Sequence, residues 1–333
     1  MLRCTLSHGS TILPVSAMKI LQSRRAFILG LIAAVTAACT APIIRTPREE
    51  VAKYPLVDMH AHYPGRPPRT PQEFFATMDA VGIERMALFL GGTGSGQVNE
   101  LQKYRERFVL FYAGPIATDV VRAKIKTGNS KAVAELLTSY ERALQSGLYQ
   151  GLGEIYAYHS DRPTQIAPDS PAIRGLLELV ARYGVPITIH CNANGREEME
   201  RALNFHPKAT VIWAHTGTFL APAAMMDLLK THPNLHFELA IKNRGLRTDA
   251  YPILFGRTLN EDWRQLFESY PDRFLIGFDF PGTGVHHGTP FTMAAESAEF
   301  FRAMLMQLTP TAARKIAYEN ANAVLRIPAA KRR

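Results

Sequence analysis

Polar side chains alternate with apolar ones in the segment LVDMHAHY at residues 56–63. Asp58, His60 and His62 are spaced two residues apart, so on a β-strand all three side chains would point to the same face. Two neutral imidazoles side by side can hold a divalent metal ion, as they do in catalytic zinc sites. A His-x-His pair alone is a weak signal, and a purely structural role is an alternative at this point.

Further residues of metal-ligating type close other apolar runs of the sequence. Glu154 follows GLG, His190 follows PITI, His215 follows VIWA and Asp279 follows FLIGF. A histidine at a strand end can simply hydrogen-bond a carbonyl, and a carboxylate there can cap the next segment. Six such side chains at strand ends nevertheless favour one shared site, because barrel enzymes take their catalytic groups from these ends.

Short apolar runs alternate with segments of helical period from residue 55 onward, which is typical of βα units around a parallel sheet. The eight runs are residues 56–61, 85–90, 108–114, 151–155, 186–190, 210–214, 235–239 and 274–278. With their helices they occupy about 270 residues, close to the ~250 of a (β/α)₈ barrel. We therefore predict the α/β class and a single TIM barrel over residues 50–327. The alternative, an open doubly wound sheet, lacks a glycine fingerprint after its first strand.

Helix-capping residues support this division of the chain. Thr70 precedes a proline and stands three residues before Glu73, which is the pattern of an N-cap with a capping box. Ser170, also followed by proline, predicts a second helix start, and Gly184 suits the left-handed position at that helix's end.

Four segments resemble the amidohydrolase superfamily of metal-dependent barrels: VDMHAH, ITIHCN, WAHTG and GFDFP, in that order. The resemblance covers nearly all of residues 55–325. YPDRFLIGFDFP (270–281) and YENANAVLRI (318–327) are most similar to the amidohydrolase-related group that includes decarboxylases and small-molecule hydrolases. The glutamate of GEI at 153–155 is instead similar to binuclear relatives of the TatD deoxyribonuclease type, where it bridges two metals.

The resemblance implies one of two metal sites. In the binuclear version, the two first-strand histidines and Asp279 bind one ion, while His190 and His215 bind a second ion that Glu154 bridges to the first. In the single-metal version, the first-strand pair, His190 and Asp279 hold the ion, His215 polarises the substrate and Glu154 supports the ligands. Zinc fits this nitrogen and oxygen ligand set best, with manganese, iron and cobalt as alternatives.

Either version permits the same chemistry, because a metal lowers the pKa of bound water toward about 7. Asp279 is the candidate general base, and His215 would help the metal to stabilise the oxyanion. We therefore predict a metal-dependent hydrolase that acts on a small-molecule amide, lactone or ester. The alternatives are a metal-dependent decarboxylase of an aromatic or unsaturated carboxylic acid, and an envelope binding protein that has lost its chemistry.

Loop residues beyond the strands are weaker candidates for substrate contacts. A basic cluster after strand seven could bind an acidic group through charge-assisted hydrogen bonds, but a solvated loop is the favoured interpretation for all of them. They are His159 after strand four, Lys242, Arg244 and Arg247 after strand seven, and His286 and His287 after strand eight.

Two other residues near the candidate ligands have mainly structural interpretations. Asp58 could orient an imidazole, as carboxylates around zinc often do, although a structural role is slightly favoured. Cys191 is expected to point away from the mouth and to pack as a small apolar group. It is the only cysteine beyond residue 39, so the mature domain can form no intramolecular disulfide.

The overall charge gives no indication of a nucleic-acid partner. Lysine and arginine exceed aspartate and glutamate by 38 to 29, but the excess forms no basic stripe interleaved with aromatic residues. We expect a small-molecule substrate and no nucleic acid, which ranks nuclease or phosphoesterase activity below the other reactions.

Residues 23–39, SRRAFILGLIAAVTAAC, have the pattern of a signal peptide. The apolar run is too short for a bilayer span of roughly 20 helical residues, and the arginine pair resembles a twin-arginine export signal. We predict an export region over residues 1–41, with residues 1–17 as a misassigned start before Met18. The protein would then act in the periplasm or cell envelope. Lipidation of Cys39 could anchor it to the membrane, whereas cleavage near Ala38 or Ala41 would leave it soluble.

We expect that replacing Arg24 and Arg25 together with lysine retains the protein in the cytoplasm, because a twin-arginine signal depends on both guanidinium groups. Cell fractionation followed by immunoblotting measures the result. A matched Arg45→Lys variant should still be exported, and continued export of the double variant would contradict the twin-arginine assignment.

Overall fold

The computed structural model describes residues 45–65, 68–91, 95–159, 163–240, 251–279 and 292–327. The predicted export region and the predicted loop contacts after strands seven and eight lie outside these ranges: residues 1–41, Lys242, Arg244, Arg247, His286 and His287. Within the described ranges, no helix is long and apolar enough to cross a membrane.

Eight parallel strands form one sheet that curls into a nearly closed barrel. In spatial order they are β1 (Leu56–Tyr63), β2 (Ile83–Leu90), β3 (Phe108–Tyr112), β4 (Gly151–Tyr156), β5 (Ile187–His190), β6 (Val211–Trp213), β7 (Leu235–Glu238) and β10 (Phe274–Leu275). Every predicted apolar run overlaps one of these strands. The predicted α/β class and the single TIM barrel are therefore confirmed.

Helices connect the strands, as expected of a (β/α)₈ barrel. They are α1 (Arg48–Lys53), α2 (Pro71–Val81), α3 (Ser95–Leu101), α4 (Asp119–Lys126), α5 (Ser130–Gln145), α6 (Pro171–Tyr183), α7 (Arg196–Phe205), α8 (Pro222–Thr231), α9 (Glu261–Ser269), α10 (Thr292–Leu305), α11 (Pro310–Arg314) and α12 (Asn320–Val324).

The predicted helix caps form as the sequence indicates. The Thr70 hydroxyl accepts the backbone N–H of Glu73, whose carboxylate accepts the N–H of Thr70 in return. Ser170 caps α6 by accepting the N–H of Ile173, and Gly184 ends that helix in the left-handed region at φ 67°. These contacts fix the residues at which α2 and α6 begin.

A two-stranded hairpin, β8 (Leu254–Phe255) and β9 (Thr258–Leu259), is inserted between β7 and β10. The sequence pattern did not predict it. Its strands are only two residues long and carry no alternating pattern, although Gly256 at φ 61° supplies the left-handed residue that a tight turn needs.

Aromatic rings stack across the strands on one side of the barrel. The ring centroids of Trp213 and Phe237 are 5.7 Å apart, and those of Phe237 and Phe274 are 6.2 Å apart. The Trp213 indole N–H donates to the carbonyl of Cys191. Cys191 itself lies in the hydrophobic core, where burial raises the pKa of its thiol to about 12. It therefore packs as an apolar side chain, as predicted.

A buried carboxyl group joins the first and last strands of the barrel. Oδ1 of Asp58 accepts the backbone N–H groups of His60 and Phe278, each at 2.9 Å. The N–H of Asp279 also donates to the carbonyl of His60 at 2.7 Å. Burial raises the pKa of Asp58 to about 8, although the two N–H donors oppose that rise. Asp58 thus has the structural role that the sequence favoured, and it does not orient an imidazole.

We expect Asp58→Ala to reduce the free energy of unfolding by about 2–4 kcal/mol, because two buried N–H groups would lose their acceptor. Asp58→Asn is the matched control, since its amide oxygen keeps the acceptor without a charge, and it should cost less than about 1 kcal/mol. Urea unfolding followed by circular dichroism measures both. Equal losses in the two variants would show that the N–H acceptor is not what stabilises this junction.

Candidate metal centre

The carboxyl ends of five barrel strands bring the six predicted site residues into one cluster. β1 carries two of them, β4 and β5 carry one each, and the other two follow β6 and β10. All are buried except for one half-buried imidazole. In chain order they are His60, half-buried His62, Glu154, His190, His215 and Asp279.

Glu154 lies at the middle of this cluster, with its two carboxylate oxygens facing different histidines. Oε2 is 3.5 Å from Nε2 of both His60 and His62. Oε1 is 2.7 Å from Nδ1 of His190 and 3.2 Å from Nε2 of His215. One carboxylate therefore connects a histidine pair from the first strand with a pair from the fifth and sixth strands.

Asp279 joins the first of these pairs. Its Oδ1 lies 3.3 Å from Nε2 of His62 and 3.5 Å from Nε2 of His60, and those two nitrogens are 3.3 Å apart. Asp279 is itself held at φ 55°. Two nitrogens and two carboxylate oxygens thus converge on one point at the barrel mouth.

A glycine allows Glu154 to approach the fifth strand. Gly153 has φ 145°, and a Cβ atom at this position would lie 2.9 Å from Cβ of Thr188 and 3.1 Å from its carbonyl oxygen. Any larger residue would push β4 away from β5. The glycine of the GEI segment is therefore required for the contact between Glu154 and His190.

The chain turns sharply after β6 and presents His215 from a left-handed backbone. His215, Thr216, Gly217 and Thr218 have φ values of 56°, 51°, 67° and 60°, and the left-handed region costs a non-glycine residue about 1–2 kcal/mol. The N–H of Thr218 donates to the His215 carbonyl at 2.8 Å, and its hydroxyl donates to Asn192 at 3.0 Å. Backbone strain of this kind clusters at functional sites.

Two contacts around the histidines were missed by the sequence analysis. Glu238, fully buried at the end of β7, places Oε2 3.0 Å from Nδ1 of His60. Asn192, two residues after His190, places its amide oxygen 3.2 Å from Nε2 of that ring. Glu238 could have been found, because it ends a predicted strand as the other candidates do. Asn192 stands in the ITIHCN segment but follows the strand.

The donor and acceptor chemistry of the cluster fits a cation. Nδ1 of His60 faces Glu238 and Nε2 of His190 faces an amide oxygen, so those nitrogens carry the ring protons. The opposite nitrogens face the oxygens of Glu154, and a positive charge is needed between them, which either an imidazolium proton or a bound metal ion supplies. The two groups His60, His62, Glu154 and Glu154, His190, His215 each have ligand atoms close enough to share a metal ion.

Comparison with known proteins agrees with this geometry. A family model described as Amidohydrolase matches residues 41–327, which is most of the chain. The protein belongs to the amidohydrolase family. No curated protein sequence matches this amidohydrolase.

Solved structures share the fold of this amidohydrolase at low identity. An uncharacterised TIM-barrel protein from Bordetella bronchiseptica is 18% identical, with a TM-score of 0.59 over 82% of this chain and 98% of that one. A probable 2-pyrone-4,6-dicarboxylic acid hydrolase from Acinetobacter baumannii is 15% identical (TM-score 0.57, 81% and 98%). The 2,6-dihydroxybenzoate decarboxylase from Rhizobium is 16% identical (TM-score 0.55, 83% and 100%). At these identities the likeness shows the fold alone.

Buried charges in the amidohydrolase site shift the pKa values of its ligand-type residues. Burial raises the pKa of Glu154, but His60 and His190 outweigh it and hold that pKa well below its usual range. Burial likewise opposes the lowered pKa of Asp279, which a hydrogen bond from His62 and the charge of His60 produce. Burial lowers the pKa of His215. The carboxylates therefore stay ionised, which is the form in which they can bind a divalent ion.

His159 lies against the site rather than in a solvated loop, so the favoured sequence interpretation was wrong for this residue. Its ring centroid is 4.0 Å from that of His190, with an angle of 33° between the ring planes. Its backbone N–H and carbonyl both bond to the side-chain amide of Gln165, at 2.6 Å each. A residue six positions away along the loop fixes the histidine, and no periodicity would have indicated that contact.

A buried arginine holds the same loop of the amidohydrolase. Arg122 on α4 donates to the carbonyls of Tyr156, Ala157 and Thr164, at 3.1 Å for Ala157 and 2.9 Å for the Nε contact with Thr164. Its guanidinium is fully buried, and the carbonyls on either side of His159 are its acceptors. The position of His159 therefore depends on a helix two elements earlier in the chain.

We expect Arg122→Met to lower the free energy of unfolding by about 2–4 kcal/mol, because the carbonyl acceptors would lose their buried donors. Arg257→Met removes an exposed ion pair with Glu299 and should change stability by less than about 0.5 kcal/mol. Urea unfolding compares the two variants. An unchanged stability in Arg122→Met would contradict the assigned role of the guanidinium.

Proposed function

We propose that the protein is a binuclear metal-dependent hydrolase that acts on a small-molecule amide, lactone or ester. The observation that supports two ions is the division of the Glu154 carboxylate, with Oε2 toward His60 and His62 and Oε1 toward His190 and His215. A carboxylate with one oxygen for each nitrogen pair is the arrangement that a bridging ligand requires.

The proposed ligand assignment follows from these distances. The first-strand histidines and Asp279 would hold one ion, His190 and His215 would hold the other, and Glu154 would contribute an oxygen to each. We propose zinc, since imidazole nitrogens with carboxylate oxygens are a typical zinc ligand set. Bound ions of this kind lower the pKa of water toward about 7, which supplies hydroxide at neutral pH.

Asp279 is the proposed general base. Its carboxylate is held ionised beside His62, and it retains some exposure to the barrel mouth, where substrate would enter. It would accept a proton from the attacking water and deliver that proton to the departing amine or alcohol. Burial lowers the pKa of His215, so this imidazole is neutral near pH 7 and available to a cation or to a developing oxyanion.

Decarboxylation is the competing reaction, because the same ligand types serve it and the solved neighbours include both a probable hydrolase and a decarboxylase. The divided carboxylate of Glu154 favours hydrolysis, since a single-ion decarboxylase would need no bridge.

Because residues 23–39 have the pattern of an export signal, we further propose that the enzyme works in the cell envelope.

We expect the purified protein to hold about two zinc ions per chain and Glu154→Gln to hold about one, because an amide cannot bridge two cations as a carboxylate does. Inductively coupled plasma mass spectrometry measures both. Glu299→Gln, an exposed glutamate, is the matched control and should keep two ions. One ion in both the parent and Glu154→Gln would make Glu154 a supporting residue and would contradict the binuclear proposal.

The reaction type is tested by the fate of water and carbon dioxide. The enzyme is incubated in ¹⁸O-labelled water with a panel of amides, lactones and esters. Incorporation of ¹⁸O into the carboxylic acid products supports hydrolysis. Release of carbon dioxide from aromatic or unsaturated acids, without incorporation of ¹⁸O, would instead establish the decarboxylase.

A further inference from the structure

Glu238 is a fully buried carboxylate that the proposed ligand assignment does not use. It ends β7, and its two oxygens are approached by three different nitrogens. Oε2 lies 3.0 Å from Nδ1 of His60 and accepts the backbone N–H of His215 at 3.1 Å. Oε1 accepts the backbone N–H of Ala240. A buried carboxylate is costly unless donors surround it, and here they do.

The contact with His60 determines which ring nitrogen carries the proton. The oxygen that faces Nδ1 also accepts a backbone N–H, so it acts as an acceptor and Nδ1 is the donor. Nε2 is then the ring nitrogen left to bind a cation, and it is the atom that faces Glu154, His62 and Asp279. Phe89 packs edge-on against the ring with centroids 4.7 Å apart, which restricts rotation of the imidazole.

The contact with His215 fixes a backbone position in the other half of the site. His215 begins the left-handed turn after β6, at φ 56°, and its N–H would have no strand partner in that conformation. Glu238 supplies the acceptor. The same oxygen atom therefore contacts one histidine from each of the two pairs that Glu154 connects.

A glycine just after the last barrel strand makes room for this carboxylate. A Cβ atom at Gly277 would lie 1.8 Å from Oε1 of Glu238, 2.5 Å from its Cδ and 3.0 Å from Cβ of His60. No side chain fits there while Glu238 keeps its position. The glycine of FLIGFD, just after β10, and the glutamate of LHFE, at the end of β7, thus lie against each other.

We propose that Glu238 is a positioning residue for the metal site: it fixes the Nδ1–H tautomer of His60 and holds the backbone of His215, so that both rings direct ligand atoms inward. This inference rests on the proposed metal-dependent function. Glu238 also stands close enough to His60 and His215 to form a ligand group with them. Its oxygens already accept three N–H groups, however, which is the environment of a residue that orients ligands.

The test compares Glu238→Gln with the parent in two measurements. Zinc affinity is measured by competition with a chromophoric chelator, and we expect it to be about 10- to 100-fold weaker in the variant, with the parent's number of ions restored at saturating zinc. Glu200→Gln is the matched control, because Glu200 also faces a histidine, His232 at 3.8 Å, and neither residue belongs to the groups of ligand atoms at the site. It should keep the parent affinity.

The second measurement is the tautomer of His60, read from long-range ¹H–¹⁵N spectra of the zinc-loaded protein labelled at histidine. The parent should show a proton on Nδ1, and Glu238→Gln should shift the ring toward the other tautomer or broaden its signals. The parent spectrum needs no variant, so the proposal is testable even when Glu238→Gln fails to fold. A parent His60 protonated at Nε2 would overturn it.

The remaining outcomes also decide the matter. Unchanged zinc affinity and an unchanged tautomer in a folded Glu238→Gln protein would overturn the positioning role. Loss of one ion at saturating zinc would make Glu238 a ligand and would overturn it as well. Failure of the proposed hydrolase function is distinguishable, because it would appear as absent turnover in a parent that still shows the Nδ1–H tautomer.

Discussion

Negative charge is buried where the strands of the barrel converge, and the arrangement of the site follows from the need to balance it. Glu154, Glu238 and Asp279 are all shielded from solvent within a few ångströms of four imidazoles. A buried carboxylate without partners would be too costly to retain. The histidines, the backbone N–H donors and the proposed metal ions each compensate part of this charge.

Backbone shape is adapted to these charges at a small number of positions. Gly153 lets β4 approach β5, and Gly277 leaves the volume that the Glu238 carboxylate occupies. The turn at His215 adopts a left-handed conformation that ordinary residues avoid, and hydrogen bonds to neighbouring segments hold it there. The left-handed residues raise the free energy of the folded backbone where the ligand atoms meet, and packing of the hydrophobic core offsets that increase.

The sequence predicted the barrel well because each buried strand is a distinct apolar run and parallel strands end at a common edge. That rule also predicted which six residues would cluster. It could not predict how the oxygens of Glu154 divide between the histidine pairs, since that depends on side-chain rotamers and on the glycine at 153. Glu238 could have been found by the same rule, since it stands near the end of a predicted strand, but its contacts with a ring nitrogen and two backbone N–H groups have no sequence signature. His159 was misjudged because a distant arginine, Arg122, shapes its loop.

Arg122 donates to three carbonyl oxygens around that loop, those of Tyr156, Ala157 and Thr164, and a carbonyl oxygen is a group that every residue type possesses. These three contacts are therefore independent of which side chains stand at positions 156, 157 and 164. Substitutions at Tyr156 or His159, whose rings contact His190, would alter the surface beside it while leaving the carbonyl acceptors of Arg122 in place. Such a loop is open to evolutionary change: the pocket can acquire a new selectivity while the barrel and its cluster of ligand-type residues are inherited intact.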